Sequence, residues 1–386
     1  MEALFSTTPS LMAIITLMIA LSFYLQKSKI FKNLGPALTV IILGMILSNF
    51  KVVPVSTEVY GTIMYYAIPL SVSIMLLSID FKAFLKLSKQ PLISIVVAAF
   101  SVSIVAFLSG LFFAPLMDEG WKVAGMFVGT YTGGSSNLNA IAAGLEASTN
   151  TIAAANAADY VIGMPSIIFL FAAPALIKKS KAFKKFWPCS IPEEELTAGD
   201  GVELMGAKEW SIKDIAWMLA IGFTITAVAT YLAGYFPSSI ASAIRILLIT
   251  TIAVIVAQFE PVKKLKGNLD LGLYIALLFL AIIGFSVDLK EFFGSTITIS
   301  LFCFTVVIGG LLLHLAITRL LKINYQYVLL GIVGAIADGP TAALVATSAG
   351  WKSLVGVAVV LGVIGGLLGN YAGIGVAYGI KAVLGL

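Results

Sequence analysis

Long apolar stretches alternate with short polar ones along the whole chain. They lie near Pro9 to Gln26, Pro36 to Phe50, Tyr60 to Ile79, Pro91 to Ala114, Trp121 to Leu145 and Asn150 to Ile177. A second series lies near Ile212 to Phe236, Ile240 to Phe259, Leu271 to Val287, Thr296 to Leu320, Tyr325 to Ala349 and Lys352 to Leu386. Most reach about 20 residues, the length a helix needs to cross the hydrocarbon of a bilayer. With no water there to satisfy peptide groups, each run is expected to be helical. Between the two series, Lys178 to Ser211 is polar and charged and carries Pro188, Pro192 and Gly199, which reads as a connecting loop.

The pattern predicts an all-α polytopic membrane protein of about 11–12 transmembrane helices. The first half spans residues 1–177, the loop 178–211 and the second half 212–386. Ser78-Ile79-Asp80-Phe81-Lys82 at the end of the third run matches Ser286-Val287-Asp288-Leu289-Lys290 at the end of the ninth. Gly129 to Ser136 in the fifth run matches Gly334 to Thr341 in the eleventh at nearly the same spacing. Paired halves with interrupted helices at corresponding places are the sequence mark of a secondary transporter. An inverted repeat needs an odd number of crossings between equivalents, and an even number of runs separates the fifth from the eleventh. The repeat is therefore read as inverted with one non-spanning run, a parallel repeat being the alternative.

Composition narrows the class further. Of 386 residues, 60% are hydrophobic and 11% charged, against about 25% charged in ordinary soluble domains. The net charge of +5 comes from lysines at the ends of apolar runs, such as Lys27, Lys29, Lys32 and the Lys178 to Lys185 cluster. That is the signature of membrane topology rather than of nucleic-acid binding. Glu2, the missing basic n-region and the missing small-residue cleavage site make the first run a retained helix, not a signal peptide. Cys189, Cys303 and His314 form no disulfide or metal pattern, and His314 is expected to be interfacial or packed.

Two segments carry the candidate chemistry. Thr130, Tyr131, Thr132, Gly133, Gly134, Ser135, Ser136, Asn137 and Asn139 place polar groups in the middle of the fifth run. Polar residues there are costly unless buried in protein or facing a wet cavity. The paired glycines disfavour a continuous helix, and Ser135, Ser136 or Asn137 offers the N-cap of a second half-helix. In the eleventh run Asp338, Gly339, Pro340 and Thr341 do the same. Pro340 removes a backbone donor, and Thr341 is a candidate cap. Each break frees carbonyls for a cation and helix N-terminal amides for an anion. Close packing of small residues is the alternative reading, weakened by the coincidence of two breaks at matched places.

Asn156 and Asp159 lie one turn apart in the otherwise apolar sixth run. An intramembrane carboxylate is a candidate ion ligand or proton carrier, the alternative being a structural acid bonded to a nearby hydroxyl. Asp159, Asn156 and Asp338 are thus the candidate Na+ ligands. Asp80, Asp288, Glu146 and Arg245 sit near run ends and read as solvated or interfacial groups. The glycines Gly362, Gly365, Gly366 and Gly369 of the last run read as a close-packing face.

The Thr-Tyr-Thr-Gly-Gly-Ser-Ser-Asn stretch from Thr130, the Ala-Ala-Asp at Asp159, the Ser-Ile-Asp at Asp80 and the Ala-Asp-Gly-Pro at Asp338 resemble the YjcL-like family of membrane proteins. That family is similar in turn to the cation/proton antiporter and anion transporter superfamily, which includes bile-acid/sodium symporters. The resemblance implies a panel and a core in which two broken helices cross, with elevator-type movement of the core. It names no substrate and leaves Na+ and H+ both open. Asp338 stands where the family's second break often has glycine.

The function expected is an ion-coupled secondary transporter, Na+ favoured over H+, of a small anionic or zwitterionic solute, located in a bacterial inner membrane as a multi-pass protein. The expected partners are that solute and the lipid bilayer, with a homodimer left open and nucleic acid excluded. No cofactor is expected beyond the coupling ion. An antiporter without an organic substrate is the nearest alternative. An intramembrane enzyme is a remoter one, because Ser135 and Ser136 have only His314 as a candidate base. No enzymatic activity is expected.

Overall fold

In the computed structural model, residues 3–78, 89–197, 209–286, 289–337 and 339–386 are described, and among these there is no strand. The first half comprises α1 (Thr8–Leu25), α2 (Lys29–Asn49), α3 (Glu58–Leu76), α4 (Lys89–Phe113), α5 (Gly120–Gly133), α6 (Ser135–Gly144) and α7 (Thr149–Lys179). Two short helices, α8 (Lys181–Phe186) and α9 (Glu193–Thr197), lie in the connecting segment. The second half comprises α10 (Ile212–Ala233), α11 (Ser238–Val256), α12 (Glu260–Lys263), α13 (Asn268–Ser286), α14 (Leu289–Leu320), α15 (Tyr325–Ile336), α16 (Gly339–Ser348) and α17 (Val355–Leu384).

Local chemistry sets several helix starts. Thr57 caps α3 by accepting from the Val59 amide at 3.2 Å. Ser148 does the same for α7 through the Thr151 amide. Ser211 and Asp214 form a reciprocal capping box at the head of α10, which satisfies amide groups that the first turn leaves open. Two helices begin earlier than the apolar pattern indicates, α2 at Lys29 with Pro36 inside it and α14 at Leu289. Hydropathy marks where a helix meets lipid, and the helix continues past that boundary.

Among the described residues, 8 helices are long and apolar enough to cross a membrane, and shorter apolar helices lie between them. Large apolar side chains face outward, with Leu17 67% and Phe112 68% exposed. In water such a surface would aggregate, whereas in lipid it is the expected exterior. The chain is therefore an all-α, multi-pass membrane protein.

Burial of apolar surface adds little to helix association inside lipid, so close backbone approach must supply much of it. α17 lies against α5 along such a seam. A Cβ on Gly125 would come within 2.6 Å of the Gly373 carbonyl oxygen, and one on Gly133 within 2.5 Å of Gly366 Cα. Around this pair, α3 packs on α13, α4 on α14, α15 on α17, and α14 on α7. A second close approach, Gly44 to Gly284, joins α2 to α13. The closely packed face read in the last apolar run is thus the surface on which the fifth run lies.

Candidate functional site

Both interrupted runs are broken in the structure. α5 stops at Gly133, and Gly134 follows with φ 84° and ψ 173°, a conformation outside the range of ordinary L side chains. The Gly134 amide still donates to Thr130 O at 2.8 Å, and its own carbonyl accepts from Asn137 N at 3.0 Å, so Gly134 keeps both of its own peptide groups bonded through the turn. α15 stops at Ile336, Ala337 leaves helical geometry with φ −114° and ψ −95°, and α16 starts at Gly339. The two breaks touch. A Cβ on Gly134 would collide with the carbonyl oxygen of Ala337, so only glycine lets these backbones meet.

Asp159, on α7, is buried beside the first break. Its Oδ2 accepts from Ser135 Oγ at 3.1 Å and from Thr130 Oγ1 at 3.3 Å. The Tyr131 hydroxyl lies close by, since it and the carboxylate both border Gly163. That hydroxyl lies 2.9 Å from the Cys303 sulfur on α14. One carboxylate thus gathers hydroxyl groups from both sides of the break. The same pattern would serve an ion ligand or a structural acid, and the two roles part on what happens when the charge is removed.

Asn156 joins Asn139 in a reciprocal amide pair, with donor–acceptor distances of 3.0 and 3.2 Å. This ties α7 to α6, and Asn156 bonds Asn139 rather than presenting a free oxygen. Asn137 Nδ2 donates to Gly366 O at 2.7 Å and so pins α6 to α17. Ser136 Oγ reaches the Met75 sulfur at 4.0 Å. Thr132 Oγ1 is fully buried and has no hydrogen-bond partner among the described residues. An orphaned buried hydroxyl of this kind calls for a ligand such as water or an ion.

Two details of capping differ from the sequence reading. The N-cap position of α6 is Gly134, with no side-chain cap, because Ser135 is already helical and its hydroxyl goes to Asp159. Thr341 lies inside the first turn of α16, which begins at Gly339, and so does not cap it. Gly339 is buried against α17, where a Cβ would meet the Val359 backbone. Asp338 lies outside the described residues, as do Asp80, Lys82 and Asp288, and nothing is described of the Pro340 side chain.

The family described as "Protein of unknown function (DUF819)" matches residues 11–383, nearly the whole chain. The chain belongs to that family. A relative from Bacillus subtilis (strain 168), the "Uncharacterized membrane protein YjcL", is 29% identical over 348 residues, covering 86% of each chain. The resemblance drawn from the residues around Thr130, Asp159 and Asp338 therefore holds, and it extends to the membrane character of the relative.

The weaker candidates of this DUF819 chain are also placed. Glu146 Oε1 accepts from Ser242 Oγ at 2.5 Å, and the Glu146 carbonyl accepts from Lys122 Nζ at 2.9 Å. His314 is buried, with Nε2 3.4 Å from Ser94 Oγ, and it lines a cavity of about 20 Å³ together with Tyr131. Sequence reasoning gave three contributors no separate role. Asn139 and Tyr131 stood within the polar segment and were distinguishable only by which face each presents. Cys303 carried no signal, because its contact with Tyr131 exists only once α14 lies on α5. Among the described residues no three His, Cys, Asp or Glu side chains converge on one point.

Proposed function

We propose that this protein is an ion-coupled secondary transporter of a small organic solute, with Na+ rather than H+ as the coupling ion. The observation that carries the reading is the meeting of two helix breaks, Gly134 against Ala337, beside the buried Asp159. A cation there would draw on the Asp159 carboxylate, the hydroxyls of Thr130 and Ser135, and carbonyls released at the breaks, while the solute would face the ends of the half-helices. Sodium needs several convergent oxygens, whereas a proton needs only one carboxylate.

Packing supports a two-fold repeat of the halves. The third and ninth runs, α3 and α13, pack on each other, as do the fourth and tenth, α4 and α14. The contact of α5 with α17 is far more extensive than that of α15 with α7, so the two halves are not packed identically. In this reading α4 to α7 and α14 to α17 form a core that moves against a panel of α1 to α3 and α10 to α13, in the elevator manner, within a bacterial cell membrane. Cation/proton antiport without an organic solute is the second reading. It rests on Asp159 being held, among the described residues, by neutral hydroxyls, which suffices for a proton carrier.

The test is radioactive sodium uptake into liposomes containing the purified protein, with and without small organic acids and amino acids outside. Solute-dependent Na+ entry supports the transporter. Na+ movement driven only by a pH gradient, with no solute effect, supports the antiporter.

A further inference from the structure

Arg245 stands in the third turn of α11, about 10 Å of helix from its start at Ser238. Its guanidinium lies 4.5 Å from the centroid of the Tyr65 ring, and Nη2 donates to the Tyr65 carbonyl at 3.2 Å. Nε is buried and has no hydrogen-bond partner among the described residues. Among the described residues the ion pairs are Lys122 with Glu119, Lys178 with Glu193 and Lys263 with Glu260, and none includes Arg245. One edge of the guanidinium is therefore covered and unsatisfied, while the other reaches toward an exposed carbonyl. A charged group near the start of an apolar helix, with a buried unsatisfied edge and no carboxylate partner among the described residues, is a functional candidate.

Its surroundings give it a direction. One turn before it, Ser242 bonds Glu146 just beyond the end of α6, and the neighbouring Ala243 and Ile246 face Gly144. One turn beyond it, Thr250 accepts from Asn370 Nδ2 at 3.0 Å, on the helix to which Asn137 is pinned. On α3, Tyr65 lies beside Arg245, and Met75 touches Ser136 after about 15 Å of helix. Arg245 thus marks the outer end of a seam of α3, α6 and α11 whose inner end is the break.

We propose that Arg245 binds the carboxylate of the transported solute at the outer end of this seam, so that the substrate class is a small organic anion. The inference rests on the transporter reading. Guanidinium suits a carboxylate because its planar fork offers two parallel donors. Tyr65 holds the group by its ring and leaves donors free.

The experiment follows the melting of the purified full chain in neutral detergent at fixed NaCl and ionic strength. Sodium acetate and sodium succinate are titrated against acetamide and succinamide. Saturable stabilisation by the carboxylates but not the amides is expected. The half-saturating concentration should rise tenfold or more in Arg245→Gln and by less in Arg245→Lys, each variant being monodisperse by gel filtration. Equal action of the amides, unchanged titrations in Arg245→Gln, or no effect of either carboxylate on the parent chain overturns the assignment. So does a shift with phosphatidylglycerol that Arg245→Gln removes while carboxylates do nothing, since that marks a lipid site. If Na+ fails to act while the Arg245-dependent carboxylate effect holds, the Na+-coupled reading fails and this one stands.

Discussion

Ser135 Oγ lies 3.1 Å from Asp159 Oδ2, so the first residue after the break in the fifth run is bonded to the only acid of α7. The bond spans the break and α7 and leaves the N-cap position to Gly134. A hydrogen bond to a charged group is worth about 1.5–3 kcal/mol. Ser135→Ala should therefore lower the melting temperature modestly and weaken Na+ stabilisation by about tenfold, whereas Ser135→Thr should keep the bond and most of the effect. Titration of purified variants with NaCl reads both.

Two adjacent glycines on α17 should behave in opposite ways. A Cβ on Gly365 would run into the Thr132 carbonyl, while one on Gly366 meets nothing within 4 Å. Backbone cannot swing aside as a side chain can, so Gly365→Ala should cost at least about 1–3 kcal/mol, in line with overpacked cores. Gly366→Ala should stay within about 0.5 kcal/mol of the parent. Melting curves in one detergent decide it, and equal losses would mean that the α5–α17 seam is misplaced.

Glu119, in the turn before α5, supplies a pH dependence outside the membrane spans. Burial pushes its carboxyl up, but hydrogen bonds from Lys122, Thr151 and Ser148 outweigh this and bring it from 4.5 down to about 2. A depressed carboxylate adds stability that is fully present above the unfolded value and is lost as pH falls through the folded one. The parent should melt above Glu119→Gln at neutral pH, and the gap should close as pH drops from about 4.5 toward 2. A gap that stays constant over that range would contradict the Lys122–Glu119–Ser148 link.

Thiol chemistry checks how α14 lies on α5. Cys303 is fully buried beside Tyr131, and Cys189 is half-buried. A maleimide should label Cys189 alone in the folded protein and both cysteines after denaturation, because reaction needs an accessible thiolate. Rapid native labelling of Cys303 would place that face of α14 elsewhere.

Much of this architecture could be read from local chemistry. Gly133, Gly134, Gly339 and Pro340 announced the interruptions because glycine and proline act on the backbone at their own positions. The membrane class followed from hydropathy, a property of the whole chain. What stayed hidden depended on contacts between distant runs. Ser135 looked like a cap until Asp159 offered its hydroxyl a better acceptor, and Asn156 was grouped with Asp159 although its partner is Asn139. Arg245 read as an interfacial anchor because the sequence could not show that its Nε is buried without a hydrogen-bond partner among the described residues.

The central claim, a coupling-ion site where the two breaks meet beside Asp159, is tested most directly by melting the purified protein in NaCl and in KCl at equal ionic strength. A ligand that binds only the folded state stabilises it by mass action, about 2.7 kcal/mol at a hundred times its Kd. The parent chain should be stabilised saturably by NaCl and not by KCl. Asp159→Asn should remain folded and monodisperse yet lose that difference by tenfold or more in half-saturating concentration. Coincident NaCl and KCl curves for the parent up to high salt, or an undiminished Na+ effect in Asp159→Asn, would contradict it.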